Sequence, residues 1–202
     1  MSRSGLEPVE RPSLAEPLRP IVPVVAMAGL MWASEIVDTV LGGDLDAFGI
    51  RPRRLDGLDG IVLSPFLHGG FGHLIANTFP FLLLGAVIAL GGTRRFLTVT
   101  TIIALVGGIG TWLIGPSGTL HIGASGLVFG FITYLVTRGF FARKASYLLG
   151  GAVVAFLYVG ALWGLLPRPG VSWQGHLFGA IGGVVAARAV HVRTRPDRLP
   201  AA

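Results

Sequence analysis

The chain has 202 residues, of which 52% are hydrophobic and only 13% charged. Soluble domains carry about 25% charged residues, so this composition excludes an ordinary soluble protein and predicts a single integral membrane domain. The chain has no cysteine, which excludes disulfides and thiolate chemistry. The net charge of +6 comes mostly from basic residues beside apolar segments, which favours membrane orientation over nucleic-acid binding.

Six apolar stretches follow a polar, proline-rich segment at 1–20, and each is near the roughly 20 residues that cross a bilayer. They cover about 21–41, 73–92, 96–115, 123–141, 147–166 and 175–192. We therefore predict an all-α integral membrane protein, a bundle of six transmembrane helices at 21–192 with polar tails at 1–20 and 193–202. The long connection at 43–72 has an apolar part, 61–67, that is too short to span and suits an interfacial or re-entrant piece.

The first apolar stretch carries two acidic residues, Glu35 and Asp38, near its far end. Acidic residues inside a membrane helix usually mark a function or a partner. At the end of a span, however, we expect them to be solvated or paired with Arg51, Arg53 or Arg54.

The distribution of basic residues predicts the orientation in the membrane. Six crossings return the chain to its starting side, and twelve of the 16 Lys and Arg residues lie on that side. The positive-inside rule then makes both termini cytoplasmic and puts the 43–72 connection outside. Compactness and short tails favour a multi-pass protein of a bacterial plasma membrane.

With this topology the second, fourth and sixth spans all begin at the outer face, and each begins with polar residues. The three motifs are His73-Leu-Ile-Ala-Asn77, Gly123-Ala-Ser125-Gly126 and Gly175-His176-Leu-Phe-Gly179. At 1.5 Å of rise per residue, Ser125 is expected roughly 5–10 Å below the membrane surface. We therefore expect the polar side chains to meet at one shallow depth.

These residue types suit acyl transfer. A serine hydroxyl becomes a good nucleophile when a base takes its proton, and neutral histidine suits that role, so Ser125 and His176 are the candidate catalytic pair. His73 and Asn77, spaced i and i+4 on one helical face, could donate to an oxyanion together with the Ser125 N–H. No acid is placed to orient His176, so we predict a Ser–His dyad. Phe129, one turn after Ser125, could pack on the imidazole.

Glycines recur at four-residue intervals in the two spans that carry the candidate pair. Gly126 and Gly130 lie in the fourth span, and Gly175, Gly179 and Gly183 lie in the sixth. Small residues at this spacing allow two membrane helices to approach closely. The spacing predicts direct contact between these two helices.

The histidines at the outer face leave other readings open, namely a metal site or a proton path. The chain has no His-Glu-x-x-His motif and no cysteine ligand, so we predict no metal and no cofactor. His121 is interpreted as a loop residue and His191 as a surface residue near the inner end. A small transporter or ion pathway that uses the outer histidines remains a third hypothesis for the function.

On these motifs the sequence resembles the rhomboid family of intramembrane serine proteases, over about residues 20–192. The resemblance implies a rhomboid-like six-helix bundle with Ser125 as nucleophile, His176 as base, and His73 and Asn77 as oxyanion donors. Gly123, Gly126 and Gly179 match glycines of the family's motifs. It also implies cleavage of membrane-anchored protein substrates without metal or nucleotide.

Two departures from the family pattern stand out. The family's frequent Trp-Arg pair in the first outer loop is missing near Asp59-Gly60, and Phe129 stands where a tyrosine is common. Neither removes a catalytic group. The alternative function is a proteolytically inactive rhomboid-like protein that binds membrane clients. Substrate identity and oligomeric state do not follow from the sequence.

Overall fold

A computed structural model describes residues 16–191, so the predicted C-terminal tail and most of the predicted N-terminal tail lie outside the described residues. Within this range, seven α-helices are joined by short turns and 3-10 helices. They are α1 Val22–Leu41, α2 Gly60–Leu63, α3 Phe71–Ala89, α4 Thr93–Ile114, α5 Ser125–Ala142, α6 Ala145–Leu157 and α7 Trp173–His191. Between residues 16 and 191 the only β-type pairing is one isolated bridge, from Ile50 to His121. The prediction of an all-α membrane protein is confirmed.

Four of these helices are long and apolar enough to cross a membrane: α1 with its preceding turn, α3, α4 and α5. A fifth candidate is broken, because α6 and the 3-10 helix Val159–Leu165 meet at an angle of 64°. The last helix, α7, has 19 residues but is not among the candidates by length and composition. The protein is therefore a multi-pass membrane protein, and the count of six spans stays a prediction.

The helix α7 lies between α5 and α4, and glycines set how closely it approaches α5. A methyl group at Gly179 would collide with the Gly126 carbonyl oxygen, and one at Gly183 would collide with the Gly130 carbonyl oxygen. Backbone therefore packs directly on backbone along this interface, as the glycine spacing predicts.

Aromatic and aliphatic side chains fill the rest of the interior. Phe81 of α3, Phe96 of α4 and Phe131 of α5 form a triangle with ring centroids 5.6 to 6.5 Å apart, and all three are fully buried. The opposite faces of these helices expose large apolar side chains such as Phe79 and Phe140. This distribution is that of a bundle whose outer surface contacts lipid.

The connection from residue 43 to 70 is a folded cap on the end of the bundle where α3, α5 and α7 begin. The Ile50 and His121 backbones exchange two hydrogen bonds, of 2.9 and 3.0 Å, and the Trp112 indole donates to the Arg54 carbonyl at 2.8 Å. The apolar piece at 61–67 forms α2 and a 3-10 turn, and α2 packs on α4. A glycine is needed at position 60 because a methyl group there would collide with the Gly49–Ile50 backbone.

The acids of α1 correct one expectation. Glu35 and Asp38 are buried, at 3% and 6% exposure, and neither pairs with an arginine of the following loop. Asp38 accepts from the Leu45 N–H at 2.7 Å, whereas Asp46 faces both acids without a counter-charge. The arginines lie elsewhere because the part of the cap that carries them is bonded to the C-terminal end of α4, whereas another part of the cap packs on α1.

Arg53 joins this cap to the end of α4. Its guanidinium donates to the carbonyls of Leu113 and Gly115, at 3.0 and 2.7 Å, and to the Ser117 hydroxyl. Carbonyls at a helix C-terminus lack intrahelical partners, and a cation there is favourable.

We predict that Arg53→Asn lowers the free energy of unfolding by about 1–2 kcal/mol, because charged donors to the end of α4 are lost. Asn tolerates the positive φ of 59° at this position. Thermal unfolding in detergent measures the change. The control is Arg54→Asn, which removes only an exposed ion pair with Asp56 and should leave the melting temperature nearly unchanged. Equal losses in both variants would contradict this role of Arg53.

A second prediction concerns Asp46. Burial, together with the charges of Asp38 and Glu35, raises its pKa from 3.8 to about 6. Its contribution to stability is therefore complete below pH 4 and is lost as the pH rises through 6. We expect Asp46→Asn to have little effect on the melting temperature near pH 4 and to raise it above pH 7. Asp44→Asn, two residues earlier and exposed, should give no such pH-dependent gain. A gain independent of pH would contradict the prediction.

Candidate active site

Ser125 is the first residue of α5, and the turn before it depends on glycine. Gly123 has a φ of +108°, and a methyl group there would lie 2.6 Å from Cε1 of His73. The Gly123 N–H donates to the Ser64 carbonyl at 2.8 Å, which fixes the turn on the cap. Ser125 thus lies where the first-turn N–H groups of α5 have no intrahelical partner and the helix dipole favours negative charge.

His176, in the first turn of α7, faces Ser125 across the glycine interface. Its Nε2 is 2.8 Å from the Ser125 Oγ, and its Nδ1 is 2.7 Å from the Gly164 carbonyl oxygen. A carbonyl oxygen only accepts, so Nδ1 carries the proton and Nε2 is left to accept from the serine hydroxyl. This is the tautomer in which the imidazole can take the proton of Ser125.

The Gly164 carbonyl occupies the position where a carboxylate orients the histidine in a Ser–His–Asp triad. The sequence has no Asp or Glu between residues 60 and 196, so none of the helices α2 to α7 carries an acid that could play this part. Sequence reasoning predicted that no acid orients His176 but missed the carbonyl, because main-chain oxygens occur at every residue. The glycine itself was the only available signal: a methyl at 164 would lie 2.8 Å from Phe129 and 3.2 Å from the His176 ring.

Phe129 stacks on the imidazole of His176. The ring centroids are 4.3 Å apart and the planes differ by 7°. Face-to-face contact with a hydrocarbon ring limits rotation of the imidazole about its χ2 angle and keeps water from that face. The ring alone makes this contact, so the absence of a tyrosine hydroxyl leaves it intact.

His73 and Asn77 lie on the face of α3 that borders the same space. The His73 ring rests against Gly123, and Asn77 is buried at 6% exposure. The Asn77 side-chain amide donates to the His73 carbonyl at 2.9 Å. An amide nitrogen has two hydrogens, so one remains for another acceptor.

His68 is a second histidine of this region, to which the sequence assigned no role. Its Nε2 accepts from the Ala124 N–H at 3.3 Å, and its ring meets that of His73 edge-on with centroids 5.1 Å apart. Burial and the neighbouring His73 lower its pKa to about 4. His68 is therefore neutral near pH 7 and able to accept this bond, which supports the residue that precedes Ser125.

His121 belongs to a hydrogen-bonded chain that links the cap to α7. Its Nδ1 lies 2.6 Å from the Ser172 hydroxyl and its Nε2 lies 2.8 Å from the Thr119 hydroxyl. Ser172 immediately precedes α7. The interpretation of His121 as a loop residue holds, but the residue is buried and helps to fix the start of the helix that carries His176.

One large cavity, of about 1140 Å³, joins the four predicted reacting and oxyanion residues. Ser125, His176, His73 and Asn77 all line it. A smaller space of about 40 Å³ lies on another side of Ser125 and borders Gly126, His121 and Ser172. This volume is sufficient for water. Among residues 16–191, no group of three or more His, Asp or Glu side chains is arranged to hold a metal ion.

Comparison with known proteins identifies the family. Residues 57–193 match the model of the Rhomboid domain. An uncharacterized protein of Mycobacterium tuberculosis is 45% identical over 184 residues, which cover 87% of this chain and 75% of the relative. An uncharacterized protein of Mycobacterium leprae is 43% identical over 186 residues, or 88% of this chain and 74% of the relative.

A relative in Bacillus subtilis is 30% identical over 178 residues, which cover 82% of this chain and 86% of the relative. Its name is "Putative rhomboid protease YdcA". Together with the match of the domain model over most of the chain, this similarity confirms the family that the motifs indicated. The chain belongs to the rhomboid family.

Proposed function

We propose that the protein is an intramembrane serine endopeptidase that cleaves membrane-anchored protein substrates. The observation that carries the proposal is the 2.8 Å contact between the Ser125 Oγ and the His176 Nε2, with Nδ1 of the same ring held by the Gly164 carbonyl. A serine whose hydroxyl meets the unprotonated nitrogen of an oriented histidine has what nucleophilic catalysis requires.

In the proposed acylation step, the Ser125 oxygen attacks the carbonyl carbon of the scissile peptide bond, and its proton passes to the His176 Nε2. The resulting imidazolium keeps its Nδ1–H bond to the Gly164 carbonyl, and the stacked Phe129 keeps the ring in the same plane. The imidazolium then gives the proton to the leaving amine, which breaks the peptide bond and leaves an ester on Ser125.

The oxyanion of the tetrahedral intermediate needs donors that are already in position. We assign this role to the backbone N–H of Ser125, to His73, and to the free hydrogen of the Asn77 amide. The N-terminus of α5 adds a favourable dipole at the same point. Water then enters the cavity and attacks the ester while it gives a proton to His176. The imidazolium returns that proton to the Ser125 oxygen as the ester bond breaks, which releases the acid product and restores the enzyme.

The cavity suits an extended stretch of peptide, and its opening lies at the end of the bundle that the cap covers. By the positive-inside rule we assign this end to the outer face of a bacterial plasma membrane, with both termini cytoplasmic. A substrate segment would therefore be cleaved near the outer membrane face. The proposed reaction uses no metal, nucleotide or other cofactor.

We predict that a fluorophosphonate probe labels the purified protein on Ser125 and that labelling is lost in Ser125→Ala and His176→Ala. The first variant lacks the nucleophile, and the second lacks the base that activates it. Cleavage of a transmembrane peptide substrate should fall by at least about 1000-fold in both variants. Gel fluorescence and mass spectrometry of the labelled peptide measure the result.

Ser172 offers a matched control because its hydroxyl also meets a histidine, at 2.6 Å. Ser172→Ala should retain the label on Ser125. A wild-type protein that stays folded and resists the probe would contradict the proposal and favour the alternative, a rhomboid protein that binds membrane clients without cleaving them. Loss of the label in Ser172→Ala, with the label found on Ser172 in the wild type, would also contradict the proposal.

A separate prediction tests the oxyanion donors. Asn77→Ala should lower kcat by roughly 100-fold with a small change in KM, because the lost hydrogen bond forms in the transition state. Steady-state cleavage of the same peptide measures both constants. The control is Thr78→Val, since Thr78 also bonds the carbonyl four residues earlier, at 2.8 Å, but its hydroxyl faces Trp32 of α1. We expect Thr78→Val to keep kcat within about 3-fold. Equal kcat losses in the two variants would mean that Asn77 acts only through the stability of α3.

A further inference from the structure

The end of the bundle opposite Ser125 carries a compact group of cations and aromatic rings, here named the basic cluster. The cations are Arg95 of α4, Arg138 of α5 and Lys144 of the turn before α6, and the other members are Tyr134, Tyr147 and His191. The guanidinium carbon of Arg138 lies 4.4 Å from the centroid of the Tyr147 ring. The Lys144 Nζ lies 5.5 Å from the same centroid. Two cations therefore share one aromatic ring.

The remaining members are held close to this pair. The Tyr134 hydroxyl is 3.1 Å from the His191 Nε2. The Tyr134 hydroxyl lies in the field of both Arg95 and Arg138, and His191 lies in the field of Arg95, Arg138 and Lys144. Three like charges thus converge on a small area where α4, α5 and α7 end or begin, and their mutual repulsion is unfavourable.

None of the helices that contribute to the basic cluster carries a carboxylate. The sequence has no Asp or Glu from residue 60 to residue 196, and within the described part of the chain the ion pairs involve only Asp56, at the opposite end. The Arg138 Nε is buried and has no hydrogen-bond partner among the described residues. A buried donor of a charged group without an acceptor is costly and calls for an explanation.

Membrane orientation accounts for the number of cations at this end but not for their arrangement. Exposed residues such as Arg94 and Arg188 satisfy the positive-inside rule while their side chains face solvent. Arg138 instead is partly buried and packed on Tyr147. The missing element is an acceptor with several oxygens, which a guanidinium binds through two parallel N–H bonds.

We propose that the basic cluster binds one phosphate-bearing anion, the headgroup of an anionic phospholipid in the adjacent leaflet. Basic pockets between transmembrane helices are typical sites for such headgroups. Arg138 supplies its unpartnered Nε–H, Lys144 and Arg95 supply charge, and the Tyr134 hydroxyl supplies a further hydrogen-bonding group. Apolar side chains near the cluster, Phe140 at 68% and Leu149 at 70% exposure, provide a surface for the acyl chains.

The test is native mass spectrometry of the full chain in detergent, titrated with phosphatidylglycerol or with phosphatidylcholine of the same acyl chains. We expect one phosphatidylglycerol to bind about 10-fold more tightly than phosphatidylcholine. Arg138→Gln and Lys144→Gln should each weaken phosphatidylglycerol binding about 5-fold, as expected for the loss of one cation beside an anionic headgroup. Arg188→Gln, which removes an exposed cation at the same end, should leave the affinity unchanged.

Two comparisons, between the lipids and between the variants, decide whether the basic cluster binds the headgroup. Equal affinity for the two lipids would overturn the lipid headgroup as the occupant, and an equal loss in Arg188→Gln would overturn the site because it would indicate diffuse surface charge. Lys144 is exposed, so Lys144→Gln carries the test if Arg138→Gln does not fold. A parallel thermal-unfolding series with inorganic phosphate distinguishes the source of the anion. Stabilisation of wild type but not of Lys144→Gln by phosphate, without a lipid preference, would retain the phosphate site and overturn the lipid as its occupant.

Discussion

The direct contact of backbone with backbone between α5 and α7 is the constraint on which the site depends. Gly179 lies on the Gly126 carbonyl and Gly183 on the Gly130 carbonyl, with no room for a methyl group at either. Ser125 and His176 are single side chains at the starts of these two helices. Their 2.8 Å contact is possible only at this separation. In lipid, where helices gain little by burying apolar surface against each other, small residues provide the close packing that holds such a pair together.

Local sequence predicted much of the site because its parts are short motifs. His73 and Asn77 share one helical face by their spacing, Ser125 lies between glycines at a helix start, and His176 begins a glycine-rich span. Topology alone then brings them to one end of the bundle. The class of all-α membrane protein followed equally well from composition and from the lengths of the apolar stretches, whereas the count of six spans stays a prediction.

Features that depend on tertiary contact were missed. The burial of Glu35 and Asp38 reflects how the 43–70 cap folds, and spacing along one helix carries no information on that. The break after α6 is equally hidden, because residues 147–166 are uniformly apolar whether the helix is straight or bent by 64°. His121 resembles any loop histidine until Ser172, 51 residues later, is found beside it.

Charge is divided along the bundle axis, with all the acids from residue 35 to 59 at the Ser125 end and the basic cluster at the other. The candidate base, His176, has no carboxylate among its hydrogen-bond partners to stabilise its cationic form. It relies on a neutral dipole, the Gly164 carbonyl, and on the stacked Phe129 ring. A neutral partner orients the ring while raising the basicity of the imidazole less than an anion would.

The choice of a main-chain oxygen as the partner of His176 has a consequence for genetics. Every side chain of the site can be deleted by a single substitution, but this acceptor persists whatever residue the codon at 164 specifies. At Gly164 any substitution adds a side chain, so a mutational scan would register steric damage to Phe129 and His176 and would not register the hydrogen bond. The hydrogen bond that orients the candidate base is thus one that side-chain mutagenesis cannot remove.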